Sequence, residues 1–235
     1  MNGTPISFLS WNLAMLERSA EAPPDWTQEH TQAEVREIVL DVSPDMVLFQ
    51  ELPGVVPYVE THDMIRSNPL SHSGNMATLV GHDLMEEAMS FEALRGIGLL
   101  TTFVDRDITI ANVHLAPGKS GAELRLEQLQ AVLDASPTAE VAIIGDTNTR
   151  TEEEQSIADL GLRGPRPPEA TWNGKRNRFR SDAHQFVAYF SRFFVTDGLQ
   201  IDDVHVLSDR RVVIDQFKFH LSDHFGLCGT ISPEG

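Results

Sequence analysis

Cysteine is nearly missing from this chain. The single Cys228 excludes an intrachain disulfide and any zinc site built from cysteines. That scarcity fits a reducing compartment, so a cytoplasmic protein is expected. The N-terminus has no basic start leading into an apolar core, and no apolar run reaches about 18 residues. Neither a secretion signal nor a membrane span is therefore expected. Positive charge is scarce too, with 18 Lys and Arg against 35 Asp and Glu, for a net charge of −17. This excludes a protein held along nucleic acid by a broad, extended basic face. A nucleic-acid end, a short strand or a small phosphoester stays open as partner, with a metal supplying local positive charge. Linker-like shifts of composition, internal repeats and low-complexity segments are also absent. At 235 residues and 41% apolar content, a single domain over residues 1–235 is expected to build a proper core.

What is present is a series of apolar strands that end on polar groups. Ile6 to Trp11 alternates like a strand and stops at Asn12. Asp25 is the expected cap of a helix reaching about Leu40, with Val35, Ile38, Val39 and Val42 at helical spacing. Met46 to Phe49 reads as a buried strand running into Gln50-Glu51, and residues 61–75 read as a His-bearing loop. A short strand is expected over 77–80. Residues 97–104 and 108–113 suggest a hairpin whose second strand ends at His114. Gly118 to Gly121 is a turn, and Ala122 to Leu133 an amphipathic helix with Leu126, Leu129 and Leu133 on one side. Glu152, Glu153 and Glu154 suit a first helical turn, where the helix dipole favours carboxylates. A long loop over 161–181 carries Trp172 and the basic run from Lys175 to Arg180. Strands are expected over 184–195 and 212–219, and a closing core strand follows Ser222-Asp223-His224. This strand-rich pattern with two clear helices suits an α/β fold of two mixed β-sheets packed face to face, a four-layer α-β-β-α sandwich with helices outside.

The stretch Val141 to Arg150 concentrates the chemistry. Val141 to Ile144 reads as a strand buried on both faces, and Gly145 permits a turn or a close approach. Asp146 and Asn148 share a face if the extended geometry continues. A carboxylate and an amide held together there suit the handling of a water beside a phosphate. On its own the segment is equally a strand followed by an Asx turn. The other polar strand ends also have ordinary explanations: Asn12 a turn residue, Glu51 a surface carboxylate, His114 a satisfied core histidine, Asp223 a helix cap. Their recurrence at Asn12, Glu51, His114, Asp146 with Asn148, and Asp223 with His224 points to one constellation.

The words carrying these residues are Ser10-Trp11-Asn12, Phe49-Gln50-Glu51, Asn112-Val113-His114-Leu115, Gly145-Asp146-Thr147-Asn148 and Ser222-Asp223-His224. In order and wording the chain resembles the metal-dependent endonuclease/exonuclease/phosphatase superfamily. Its Gly-Asp-Thr-Asn word with Arg150, the turn after His114-Leu115 and Thr171-Trp172 resemble the 5′-tyrosyl-DNA phosphodiesterase branch. Two departures stand out. The aspartate that such families carry one or two residues before an apolar strand is offered here by Asp182, with Ala183-His184-Gln185 intervening. Pro117 replaces a small hydroxyl residue.

The resemblance implies hydrolysis of a phosphoester by water activated at a divalent metal, Mg²⁺ first and Mn²⁺ as substitute. Glu51 and Asp223 are the implied metal carboxylates, and Asn12 orients Glu51 or a metal-bound water. Asp146 accepts the proton of the attacking water, while Asn148 orients it or touches the phosphate. His114 and His224 stabilise developing charge, and Asp182 holds His224 charged. Arg150 is a candidate phosphate clamp. Trp172 is expected to stack on a base or leaving group, with Phe179 interleaved and Arg176, Arg178 and Arg180 meeting phosphates. The ordinary alternative is a solvated loop that balances acidic neighbours. His30, His62, His72, His82 and His205 are expected at the surface. The acidic balance also suits a phosphatase or phosphodiesterase for small molecules or lipid headgroups. A catalytically silent binding protein is a further alternative.

Overall fold

Alternation along four central strands decides which side chains meet. A computed structural model describes residues 4–66, 75–85, 89–181 and 185–234. In chain order the first half contains β1 (Ile6–Asn12), α1 (Gln28–Val42), β2 (Met46–Leu52), β3 (His62–Arg66) and β4 (Asn75–Gly81). There follow a short helix α2 (His82–Met85), β5 (Met89–Leu94), β6 (Gly98–Phe103), β7 (Ile108–His114), α3 (Ala122–Ala135) and β8 (Glu140–Asp146). The second half contains α4 (Glu154–Asp159), β9 (Trp172–Asn173), β10 (Val187–Ala188), β11 (Ser191–Val195) and β12 (Leu199–Val206). β13 (Val212–Ile214), β14 (Phe217–Phe219) and β15 (Leu227–Pro233) complete it. One sheet has the order β12-β15-β1-β2-β4-β3 and the other β11-β8-β7-β6-β5. Both are mixed, since β1/β2 and β7/β8 are parallel pairs among antiparallel ones.

Three apolar layers separate these elements. Phe8, Met46 and Leu48 from the first sheet meet Ile108, Ile110, Ala142 and Ile144 from the second. The intervening residues of the same strands face outward: Leu9, Trp11, Val47 and Phe49 pack with Val35 and Val39 of α1. Ala111, Val113, Val141 and Ile143 likewise pack with Leu129 and Val132 of α3 and Ile157 of α4. The four-layer sandwich is thus the physical result of strands apolar on both faces.

Local expectations fare unevenly. The cap of α1 is Thr27 rather than Asp25, in a reciprocal box with His30, and Ser43 ends the helix in a left-handed conformation. β3 occupies part of the segment read as loop, and His62 is buried rather than at the surface, its Nε2 lying 2.8 Å from the Pro44 carbonyl. His72 lies outside the described residues. Residues 212–219 form a two-stranded hairpin turning at Asp215, not one strand. The strand expected over 184–195 is two, β10 and β11, joined through Tyr189 and Phe190. β5 and β12 add strands that were not foreseen. No helix among the described residues is long and apolar enough to cross a membrane.

One buried ion pair fastens the loop after β7 to the helical turn after Arg150. Arg125 of α3 donates through Nε and Nη2 to both oxygens of Glu153, at 2.8 and 2.5 Å. Its Nη1 donates to the carbonyls of Ala116 and Gly118 at 2.7 and 2.8 Å. Glu153 stands in the first helical turn, as expected, and is a buried ion-pair partner there.

Arg125→Met, which leaves Glu153 buried and unpaired, is expected to cost about 3–5 kcal/mol in urea unfolding. Adding Glu153→Leu should recover at least half of that loss. A second expectation concerns pH. His220 is buried, its Nε2 accepts from Arg211 Nε at 3.1 Å, and burial lowers its pKa to about 4 from 6.5. The unfolded chain therefore binds the extra proton first, and stability should fall as pH drops from about 6.5 to about 4. His220→Gln should flatten that part of the curve of unfolding free energy against pH.

Candidate active site

The inward face of each central strand turns polar at the same level. After Phe8 on β1 come Ser10 and Asn12; after Leu48 on β2 comes Gln50; after Ile110 on β7 come Asn112 and His114; after Ile144 on β8 comes Asp146. Parallel pairing sets Asn12 beside Gln50 and His114 beside Asp146. Below the mouth, Gln50 Nε2 donates to Asn112 Oδ1 at 2.8 Å, a link between the two sheets. Above it, Asn12 Nδ2 donates to Glu51 Oε1 at 3.0 Å and to Asp146 Oδ2 at 2.9 Å. One neutral amide thereby holds two carboxylates from opposite sheets.

Two histidines close on the same oxygen. His114 Nε2 lies 3.6 Å from Asp146 Oδ2 and 3.6 Å from Glu51 Oε1, while His224 Nε2 lies 3.7 Å from Asp146 Oδ2. Glu51, His114 and Asp146 present ligand atoms within 4.8 Å of one another. Among the described residues, Asp146 Oδ1 is buried without a hydrogen-bond partner. Asn148 stands in a left-handed conformation, its Nδ2 donating to the Leu115 carbonyl at 3.2 Å. Glu51 is left-handed too, at φ 50°, a strained backbone for a residue with a Cβ. Glu51, His114, Asp146, Asn148 and His224 line a cavity of about 870 Å³, which Met15, Arg95, Pro117, Trp172, Arg180 and Phe190 also border.

The remaining expected residues are placed as follows. Asp223 lines the cavity and its Oδ2 accepts from Arg180 Nε at 2.9 Å, which holds the guanidinium pKa above its ordinary value. Trp172 meets His224 edge-on at 5.1 Å and stacks with Phe186 at 6.0 Å. Arg150 lies over the Phe190 ring at 5.6 Å and lines a neighbouring cavity of about 460 Å³ with Lys119, Arg166 and Arg192. Arg176 is turned to Asp209 and Glu169, and Arg178 is exposed; neither lines the main cavity. Phe179 is buried and unavailable for stacking, its carbonyl accepting from the Ala20 N–H. Asp182 lies outside the described residues. Ahead of β11, the positions one and two residues before the strand hold Phe190 and Tyr189, so no carboxylate stands there. Arg95, Met15 and Phe190 were missed, because nothing in their local sequence signals the cavity they border.

Comparison with known proteins agrees with this geometry. The model of the Endonuclease/Exonuclease/phosphatase family matches residues 9–224. Tyrosyl-DNA phosphodiesterase 2 of Xenopus tropicalis is 26% identical over 256 residues, covering 94% of this chain. The chain spans 65% of the length of that curated relative. A truncated Caenorhabditis elegans TDP2 crystal structure superposes with a TM-score of 0.71 at 20% identity, covering 97% of both chains. D. rerio TDP2 complexed with single strand DNA product superposes with a TM-score of 0.72 at 19% identity, covering 98% of this chain and 100% of that one. The two superpositions establish the fold.

Gly145 supports the site from behind. At φ 150°, a Cβ on this residue would run into the Val113 carbonyl of the neighbouring strand. Gly145→Ala should therefore part β7 from β8 and lower stability by about 2 kcal/mol or more. A fall in thermal midpoint of roughly 5 °C or more would register it, whereas Gly96→Ala, at an open turn, should cost less.

Proposed function

Since this chain belongs to the endonuclease/exonuclease/phosphatase family, we propose that it hydrolyses a phosphodiester at a nucleic-acid end or a protein–DNA phosphotyrosyl adduct, using a divalent metal. The observation that carries this reading is the approach of Glu51, His114 and His224 to one carboxylate, Asp146, beside an open cavity. Oxygen-rich chemistry fits a hard cation: Glu51, Asp146 and Asp223 face the same space, and the neutral Asn12 amide and the His114 ring lie between Glu51 and Asp146. Glu51 and Asp223 are its assigned carboxylate ligands, with Asn12 orienting Glu51. Mg²⁺ is the first choice, and Mn²⁺ also tolerates the nearby imidazole. When bound, such a cation polarises the phosphoryl oxygen and makes water more acidic.

The chain's own residues supply the rest. Asp146 accepts the proton of the attacking water, and among the described residues its Oδ1 has no hydrogen-bond partner. His114 and His224 present Nε2 to the non-bridging oxygens, where negative charge grows. Asn148 uses one amide hydrogen on Leu115 and has the other for the phosphate. Trp172 and Phe190 form an aromatic wall that takes a base or an aromatic leaving group. Arg150, across Phe190 from Asp146, meets the adjacent phosphate of a strand and favours a diester over a small monoester. The D. rerio relative is described with a single-strand DNA product, which supports a strand as substrate. A net charge of −17 keeps recognition local to an end, without an extended DNA-binding face. One thiol, buried at Cys228, supports a cytoplasmic location.

Turnover of a 5′-phosphotyrosyl oligonucleotide, an abasic duplex, plain single-stranded DNA and inositol phosphates should be compared with Mg²⁺, Mn²⁺ and EDTA. Metal-dependent release from one of the nucleic-acid substrates is expected, and EDTA should abolish it. Glu51→Gln and Asp146→Asn should each lower kcat by about 10³-fold. Trp172→Ala and Arg150→Ala should raise KM roughly tenfold with oligonucleotides. Turnover confined to inositol phosphates would move the assignment to small-molecule substrates. No metal-dependent turnover of any phosphoester would end it.

A further inference from the structure

His224 is held more firmly by its backbone than by its ring. Its N–H donates to Ser222 Oγ at 3.1 Å, and its carbonyl accepts from Trp11 Nε1 at 3.0 Å. The ring has Trp172 on one side, with centroids 5.1 Å apart, and Phe190 on another at 6.2 Å. These contacts limit where the imidazole lies, but an aromatic edge does not decide which nitrogen carries the proton. That choice belongs to the polar atoms at its two ends.

One end faces Asp146, with Nε2 3.7 Å from Oδ2. The other faces a hydroxyl, with Nδ1 3.4 Å from Ser191 Oγ. The two polar partners belong to one pair of strands, because Ser191 of β11 stands directly opposite Asp146 of β8. The backbone of Ser191 is itself fixed: its N–H donates to Thr171 Oγ1 at 2.9 Å, and the Thr171 hydroxyl donates to the Ser191 carbonyl at 3.3 Å. Ser191 is fully buried, and among the described residues its hydroxyl has no other hydrogen-bond partner.

We propose that Ser191 is the positioning residue that sets the tautomer of His224. Asp146 Oδ2 acts as an acceptor toward the Asn12 amide, and an acceptor facing the ring favours a proton on Nε2. In the neutral ring Nδ1 is then an acceptor, and the Ser191 hydroxyl donates to it. The pair directs Nε2–H toward Asp146 and the cavity. A hydroxyl here does the orienting work expected of a carboxylate, at a strand start preceded by Tyr189 and Phe190. The kinetic consequence of this inference rests on the phosphodiesterase reading; the tautomer does not.

The test uses the full chain with ¹⁵N-labelled histidine. Ring nitrogen shifts report which nitrogen is protonated, and His224→Gln identifies the signals. The wild type is expected to show a protonated Nε2 and a bare Nδ1 at His224. Ser191→Ala should mix the two tautomers, Ser191→Thr should keep the wild-type pattern, and Ser191→Cys, a weak donor, should lie between. In turnover, Ser191→Ala should lower kcat roughly tenfold with KM within about twofold, and Ser191→Thr should recover most of it. Unchanged imidazole signals in Ser191→Ala would overturn the proposal. So would a shift produced by Asp182→Asn and not by Ser191→Ala, which would make Asp182 the partner. If Ser191→Ala does not fold, the Thr and Cys variants still decide, because equal patterns in both would exclude an orienting hydroxyl. A wild type without turnover would strike the phosphodiesterase reading and leave the tautomer result standing.

Discussion

A buried pair of amides sets where the two sheets meet. Apolar faces alone can slide over one another, because dispersion and burial are not directional. Gln50 and Asn112 cannot slide. The Gln50 amide also donates to Ser10 Oγ and the Leu48 carbonyl, and the Asn112 amide donates to the carbonyls of Phe49 and Ala77. Displacing either sheet by one residue would strand several of these groups in an apolar interior, each at roughly 1–3 kcal/mol. With that level fixed, the next inward residues along β1 and β8 are Asn12 and Asp146. The hydrogen bond between them is the same cross-sheet constraint carried to the edge of the core.

Beyond that edge, electrostatics govern. Glu51 and Asp146 approach each other because Asn12 donates to both, and His114 lies equally close to the two. The positive-φ backbones of Glu51 and Asn148 are tolerated because strands and turns over-determine them. Thr147 and Asn148, for instance, both donate backbone N–H groups to the Phe190 carbonyl, at 2.9 and 3.1 Å. Arg125 ties the Ala116–Gly118 turn to Glu153, so the loops on both sides of Asp146 share one anchor. Strain and like charge are thus concentrated where a substrate is proposed to bind, and rigidity is supplied from behind.

How much of this was legible in the sequence depended on where each strand sits. β1, β2, β7, β8 and β15 are central, so their apolar runs and polar ends announced both the sandwich and the residues at its mouth. β3 and β12 are edge strands. His62-Asp63-Met64-Ile65-Arg66 is held by ladder bonds to β4, and the polar Leu199 to Val206 strand shifts register between Asp202 and His205. β3 is too short to show a period, and in β12 the shift breaks the alternation of Leu199 and Ile201 from that of Val204 and Val206. Long-range pairs were equally hidden: Arg125 with Glu153, Arg176 with Asp209, and Ser191 with His224 join residues that no local pattern connects. The basic run from Lys175 to Arg180 reads as one stripe in sequence. Its chain path instead buries Phe179, turns Arg176 outward and brings only Arg180 to the cavity.

That division also reconciles an acidic protein with the anionic substrate proposed for it. The overall charge opposes long nucleic acid only within about a Debye length of the surface, because it is screened beyond that. At the site the balance is local. Arg95, Arg180 and two histidines border the main cavity beside Glu51, Asp146 and Asp223, whose negative charge a bound cation would offset, and Arg150, Lys119, Arg166 and Arg192 border the next one. The Phe190 ring stands between these groups, touching Arg150 on one side and the His224 surroundings on the other. A phosphate in the first cavity and a phosphate in the second would therefore be separated by an aromatic ring. That spacing is natural for neighbouring nucleotides whose bases or sugars need an apolar surface between charged contacts. A strand end is the substrate proposed for this cavity, and the acidic exterior disfavours close contact with the middle of a duplex.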